Sequence, residues 1–472
     1  MTAQSPGRPA VFSKHHHETQ PQTYEEVLAG DSKAVPDVVR KEGIKDIGPW
    51  QIPTRWYLDR AVHELEKERI WKRTWQMVCR TDDIPSVGDT YIYNICGMSF
   101  LVVRSAPDSI KAFWNACLHR GLELRSCPGR VDRIQCPFHG FTWSLDGKCV
   151  LIPYSEEFPH LKQEEMGLPE VKVEVWEDFV FINPDPDAEP LEAYLGEFPG
   201  QFARWPFKGR HKAIHCAKVF NTNWKTLQEA FMESWHVLTV HPQFTVTIGE
   251  RCAQFWASGN FARGIVSQGQ SSDYLSRTPS EQEIMDRFCG VWDDEARPAQ
   301  FVVPASKTAR SAFAEQYREM MRPVLGAFVD SMCDAECVDV FYWTLFPNFH
   351  PFGGYRQPFV FRFLPFEDDH ARSVMEVVFL MPVADGQEVP APAQIQWLGE
   401  DEDFTAVKGL GAFGSFISQD ITNMNCIMRG LRNNRRGVVN FARHQELKLR
   451  HFYALYEQRL GLSAAEEIAQ RR

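Results

Sequence analysis

The spacing of apolar positions changes along the chain, and the changes divide it. Over residues 57–75 the period is helical: Val62, Leu65, Ile70 and Trp71 form one stripe, and Asp59 stands where an N-cap belongs. The period then drops to two. Strands are expected at 88–95, 99–103 and 110–114, separated by turn residues at Ser86-Val87-Gly88, Cys96-Gly97 and Ala106-Pro107-Asp108. Two more strands, at 171–176 and 179–183, meet at Glu177-Asp178, and a proline-rich linker covers 184–190. Beyond it the pattern is mixed. Strands are expected at 213–220, 255–262, 338–345, 359–365 and 373–380, and helices at 224–240, 310–328, 405–428 and 441–459. There is no internal repeat.

This pattern predicts an α+β fold. Residues 1–48, polar and including His15-His16-His17, are expected to be a flexible tail. Residues 49–75 supply a helical part that belongs with the larger domain. A small antiparallel β domain, 76–184, is inserted before that larger α+β domain, 185–472, whose central antiparallel sheet is flanked by helices.

Composition alters this picture little. Hydrophobic residues make up 44% and charged residues 24% of the 472 positions, as in ordinary globular proteins. A net charge of -11 argues against a nucleic-acid partner. No apolar run reaches the ~18 residues of a membrane span. The start of the chain has no apolar stretch behind basic residues, so a cytoplasmic location is expected. The 12 cysteines are scattered, which suits thiols or ligands rather than disulfides. Cys117 and Cys136 alone sit in a tight pattern with histidines; Cys79, Cys333 and Cys426 are read as packing residues.

That pattern is Cys117-Leu118-His119 followed by Cys136-Pro137-Phe138-His139. Four nitrogen and sulfur ligands can hold zinc or an iron–sulfur cluster. The order Cys-His, Cys-His differs from that of a zinc finger. It suits a [2Fe–2S] centre in which two thiolates hold one iron and two imidazoles the other. Gly121 and Gly140 let backbone amides approach the sulfides, and Pro137 stiffens the second loop.

A second constellation lies at 224–241. On a helix, Glu229, Glu233 and His236 share one face at i, i+4 and i+7. His241 would point elsewhere, but Pro242 pushes it out of the helical region and lets it swing back toward His236. Two histidines and one carboxylate with open positions make the facial triad of non-haem Fe(II) oxygenases. Asp420, on a late helix, is the candidate third ligand.

The stretches CLHRG and CPFHGFTW resemble the Rieske signature. With Asn223-Trp224-Lys225 and the Glu-x3-Glu-x2-His-x4-His run from Glu229 to His241, residues 50–459 resemble the α subunits of Rieske non-haem iron ring-hydroxylating oxygenases. The resemblance implies that Cys117, His119, Cys136 and His139 hold a [2Fe–2S] cluster. It implies that His236, His241 and Asp420 hold one mononuclear Fe(II). Leu122 and Phe138 stand where high-potential Rieske proteins carry an extra cysteine pair, so a potential near the low end, about -150 mV, is expected. The place of Glu233 is usually an Asp that bridges a cluster histidine of one subunit to an iron histidine of the next. Ala230 replaces a frequent Asn, and Met424 adds apolar bulk one turn after Asp420.

No GxGxxG follows a strand, so electrons must come from a partner, a ferredoxin and/or a flavin reductase. The resemblance implies a terminal oxygenase that uses O2 to hydroxylate or cis-dihydroxylate an aromatic or polycyclic substrate, with or without a carboxylate or methoxy group. O-demethylation and monooxygenation share the same site. A Rieske electron carrier without a working iron site is the alternative from another class. A homotrimer is expected, with or without a small β subunit. Candidate pocket residues are Phe231, Trp235, Leu238, Val240, Phe346, Phe352 and Phe416, and Arg356 and Arg362 are candidates for meeting an anionic substrate.

Overall fold

The computed structural model of the chain describes residues 22–43, 46–275, 277–290 and 301–470. The His15–His17 run lies outside them.

The two-residue period builds an antiparallel sheet. Its seven strands run in the order Gln76–Arg80, Phe179–Asn183, Glu170–Trp176, Ser109–Trp114, Met98–Ala106, Asp89–Ile95 and Gly129–Arg130. Alternation sends side chains to opposite faces. Phe100 and Val102 join one core with Trp56, Trp224 and Tyr453, while Leu101 and Val103 join another with Phe113, Trp143 and Cys136. One face of the sheet therefore rests on helices of the larger unit. The other is covered by a three-stranded sheet of Ile134–Gln135, Thr142–Trp143 and Cys149–Leu151. The expected turns are tight ones: Cys96 and Gly97 take φ of 48° and 72°, and Glu177 and Asp178 take 52° and 65°, the left-handed pair that matches strand twist in a two-residue hairpin.

The larger unit is built on an eight-stranded sheet. From one edge it runs Ile248–Ser258, Phe261–Gln268, Val340–Leu345, Phe349–Pro351, Phe359–Phe366, Asp369–Met381, His211–Phe220 and Gln396–Leu398. All pairs are antiparallel except the last. The helix Trp224–Glu229 leaves strand His211–Phe220 and packs back on Phe359–Phe366 and Asp369–Met381. Strand Gln51–Pro53, early in the chain, pairs with Val438–Asn440 near its end. Arg362 links the two large sheets. Its Nε donates to Glu376 at 2.8 Å, and its Nη1 donates to the carbonyls of Met77 and Val78 at 2.7 and 2.8 Å. Among the described residues no helix is long and apolar enough to cross a membrane.

Several expected elements are corrected. The tail does not extend over residues 22–43: a Thr23–Glu26 capping box starts helix Tyr24–Leu28, and buried Tyr24 donates to Asp339 Oδ2 at 2.7 Å. The helix of 57–75 is Arg55–Leu58, then Arg60–Glu66 capped by Asp59, then a π turn Lys67–Trp71. The strand of 255–262 straddles a hairpin at Gly259, whose φ is 51°; apolar residues on both sides of the turn hide it. The helix of 405–428 is interrupted before Met424, giving Ala412–Ile421 and Met424–Asn433. The helix of 224–240 is also broken, with consequences for the site.

Candidate active site

Two loops at the end of the smaller unit repeat one design. Cys117 N–H donates to the Leu122 carbonyl at 2.8 Å and Gly121 N–H to the Cys117 carbonyl at 2.9 Å. In the second loop Cys136 donates to Phe141 at 2.8 Å and Gly140 to Cys136 at 3.1 Å. Gly121 and Gly140 close the loops at φ of 80° and 79°, a region that favours glycine. The cysteines are buried and lie within hydrogen-bonding reach of each other. The His119 and His139 rings lie farther out, with centroids 4.7 Å apart, and His119 stacks on Phe141. His119 Nδ1 is buried without a hydrogen-bond partner among the described residues. An orphaned ring nitrogen beside two inner thiols and a second outer imidazole fits a cluster whose inner iron takes sulfur and whose outer iron takes nitrogen.

The second site starts from the broken helix. Regular turns stop at Glu229 and resume at Val237–Val240. Between them the Glu233 carboxylate accepts from the backbone N–H groups of Trp235 and His236, the latter at 3.1 Å. A side chain that takes backbone donors offers the chain an alternative to the helix. His241, held at φ -125° and ψ 59° before Pro242, turns back as the proline requires. His236 Nε2 then lies 3.2 Å, and His241 Nε2 2.5 Å, from the same oxygen, Asp420 Oδ1.

The opposite nitrogens of both rings are engaged. His236 Nδ1 lies 2.6 Å from Glu233 Oε1, and His241 Nδ1 lies 2.6 Å from Gln419 Oε1. Both acceptors are oxygens, so each Nδ1 carries the hydrogen. The Nε2 atoms of both rings face one carboxylate oxygen, the arrangement of three ligands to a single cation. Burial by itself would lower the pKa of His236, but the charges of Glu233 and Asp420 raise it to about 10. The ligand atoms of His236, His241 and Asp420 lie within 4.8 Å of one another, and no other such group occurs among the described residues. The donor set fits an Fe(II) facial triad. Gln419, held in turn by Gln243 Nε2 at 2.7 Å, carries no spacing signal in the sequence.

Glu229 is not part of this site. Its carboxylate is buried and accepts from Tyr57 Oη at 2.8 Å and from Tyr453 Oη. The helix break separates it from Glu233.

The triad forms the floor of an apolar cavity of about 500 Å³. Phe231, Phe352 and Phe416 line it, as expected, joined by Phe244, Phe361 and Phe413. Trp235, Leu238, Val240 and Phe346 do not. Trp235 is 42% exposed, because the helix break turns it away from Phe231. Leu238 is buried outside the cavity wall, and Phe346 packs on Phe452 in another core. Arg356 lines the cavity, whereas Arg362 is consumed by Glu376 and backbone carbonyls.

Residues 74–171 match the Rieske [2Fe–2S] domain, and residues 202–462 match the ring hydroxylating α subunit catalytic domain. The carnitine monooxygenase oxygenase subunit of Escherichia coli strain K12 is 31% identical over 207 residues, 42% of this chain and 54% of that one. The matched stretch thus spans about half the length of that relative. The biphenyl 2,3-dioxygenase α subunit of Rhodococcus jostii is 35% identical over 150 residues, 31% of this chain and 32% of that one. A quaternary ammonium Rieske monooxygenase in complex with L-carnitine shares the fold at a TM-score of 0.60 and 19% identity, covering 88% of this chain and 96% of that one. The chain belongs to the ring-hydroxylating α-subunit family, oxidoreductases that bind a Rieske [2Fe–2S] cluster and a non-haem iron.

Proposed function

We propose that this chain is the terminal oxygenase component of a system in which a ferredoxin and/or flavin reductase supplies electrons and O2 is used to hydroxylate or cis-dihydroxylate an aromatic or polycyclic substrate. The observation that carries the reading is the convergence of His236, His241 and Asp420 on the floor of a phenylalanine-walled cavity. A Rieske carrier has no need of a third metal position beneath an apolar pocket.

Cys117, His119, Cys136 and His139 would hold the cluster, and His236, His241 and Asp420 the iron. When bound, the cluster relays single electrons and the iron activates dioxygen. Glu233 keeps the hydrogen on His236 Nδ1 and fixes the ring, and Gln419 does the same for His241. Phe231, Phe361 and Phe352 exclude water and orient an apolar body over the triad. Glu233 is also the residue through which a cluster histidine of a neighbouring subunit would connect in a homotrimer, with or without a small β subunit. A cytoplasmic location accords with the free thiols.

A second reading, monooxygenation including N- or O-dealkylation, is favoured by the identity to carnitine monooxygenase subunits. Ring faces can hold a quaternary ammonium group as well as an arene. One experiment addresses both. Iron analysis should return about three irons per chain for an oxygenase and about two for a carrier. Turnover with a reductase under labelled dioxygen, on polycyclics, methoxyarenes, aromatic acids and trimethylammonium compounds, should then put label into product. One labelled oxygen, in the hydroxylated product or in the aldehyde released by dealkylation, supports monooxygenation, and two support dihydroxylation. Turnover with NADH and no electron-transfer partner would overturn the reading.

A further inference from the structure

The cavity wall is not uniformly apolar: Arg287 and Arg356 both line it. Arg356 sits in the turn between strands Phe349–Pro351 and Phe359–Phe366, and it lines the same cavity as the triad. Its guanidinium rests on two stacked rings, 5.5 Å from the centroid of Phe288 and 5.3 Å from that of Phe313. Those rings are 4.8 Å apart. Nη1 is tied to the protein: it donates to Gln268 Oε1 at 2.7 Å and to the Val338 carbonyl at 2.6 Å. Two acceptors use both hydrogens of Nη1. The Nε–Nη2 edge has no acceptor among the described residues.

No carboxylate within the described residues pairs with this charge. After burial, the Tyr317 hydroxyl acts on it most strongly, and Asp339 is the carboxylate that follows. That carboxylate is already spent on Arg310, on Tyr24 Oη and on the backbone N–H of Gln268. Burial lowers the pKa of Arg356, yet guanidinium groups keep their charge in such places. Arg362 differs: more deeply buried than Arg356, it has Glu376 at 2.6 Å. A half-buried cation held in place on one edge, with no acceptor on its other edge among the described residues, can take a counter-ion there, and two parallel N–H donors match a carboxylate bidentately.

We propose that Arg356 is a specificity-determining residue that anchors a carboxylate at one end of the substrate, with its apolar body lying along the phenylalanine wall toward His236, His241 and Asp420. The proposal rests on the oxygenase reading and narrows its substrate class to amphipathic carboxylic acids. A sulfonate offers similar oxygens and would use the same edge. Arg356 acts by positioning: the anchored end fixes which carbon lies above the metal.

The test is a calorimetric titration of the holoenzyme with matched acid and amide pairs of graded size, from 3-phenylpropanoate and its amide to 2-naphthoate and its amide. The sulfonate of 3-phenylpropane serves as a further arm. In the wild type the best acid should bind on the order of tenfold or more tighter than its amide. Arg356→Gln should bring that ratio to about one and leave amide affinity within about threefold, while Arg356→Lys should restore part of the preference. The proposal is overturned if no acid binds better than its amide in the wild type, a comparison that needs no variant. It is equally overturned if Arg356→Gln keeps the preference. The two readings fail separately. An acid preference without oxygenated product removes the oxygenase reading and keeps the anchor. Oxygenation of neutral substrates without acid preference does the reverse.

Discussion

Gln419 Oε1 lies 2.6 Å from His241 Nδ1, so the residue just before Asp420 in the chain fixes the ring of its neighbour in the triad. Helix Ala412–Ile421 therefore delivers a ligand and a ligand's hydrogen-bond acceptor from adjacent positions. Removing such an acceptor typically weakens metal affinity by about 10–100-fold. Gln419→Leu should lose iron from the mononuclear site by about that factor in a chelator competition, with the cluster retained. Gln419→Glu keeps an acceptor and should hold iron close to the wild-type level. Equal iron retention in the Leu variant would remove Gln419 from the site.

The two metal positions draw on separate parts of the chain, the loops at Cys117 and Cys136 and the elements at His236 and Asp420. His236→Ala should therefore lose the mononuclear iron and keep the cluster's visible absorption. Cys117→Ser should lose that absorption. Bleaching in the His236 variant would show the two sites to be coupled through the fold.

The cluster loops were legible because each Cys-His pair lies within one short loop, so sequence spacing is already spatial spacing. The strands that carry those loops were legible from their two-residue period. Asp420 had little local signal, since it meets His241 across 179 positions and a lone Asp on a helix carries no spacing. Gln419 was invisible for the same reason, and Gln has no metal-ligand signature of its own. The helix over 224–240 was overextended because apolar periodicity runs on through the break. What ends it is the Glu233 carboxylate taking the backbone donors of Trp235 and His236, a competition between side chain and helix that periodicity cannot register.

That break separates two aromatic residues that an unbroken helix would place on one face. Phe231 lies 5.0 Å from Phe361 and 5.3 Å from Phe363, in the cavity wall, while Trp235 is exposed. The same change at each should therefore differ in effect. Phe231→Leu removes ring contacts on the substrate side and should weaken binding by about tenfold, the equivalent of roughly 1.4 kcal/mol. Trp235→Leu should leave substrate affinity within about twofold. Comparable losses at both positions would contradict the broken helix.

Glu233 has two tasks that one substitution can split. Its Oε1 accepts from His236 Nδ1, while its Oε2 holds the turn after the break. Glu233→Gln keeps one oxygen for the ring and removes the charge. Both metals should stay bound, and turnover should slow sharply at unchanged substrate affinity. Near-normal turnover would leave the carboxylate as a turn-former only.

Glu229 ties the pH response of the fold to this same helix. Burial, opposed in part by hydrogen bonds from Tyr453 and Tyr57, raises its pKa from an ordinary 4.5 to about 7. The folded chain thus favours the protonated acid. Its contribution to stability is complete below pH 4.5, declines as pH rises toward 7, and is lost above that. The difference corresponds to about 3 kcal/mol. Glu229→Gln mimics the protonated form at every pH. Denaturant midpoints of the holoenzyme and the variant, compared from about pH 5 to about pH 8, should diverge, with the variant losing roughly 2–3 kcal/mol less across the range. Parallel curves would mean that Tyr57 and Tyr453 hold the carboxylate charged throughout.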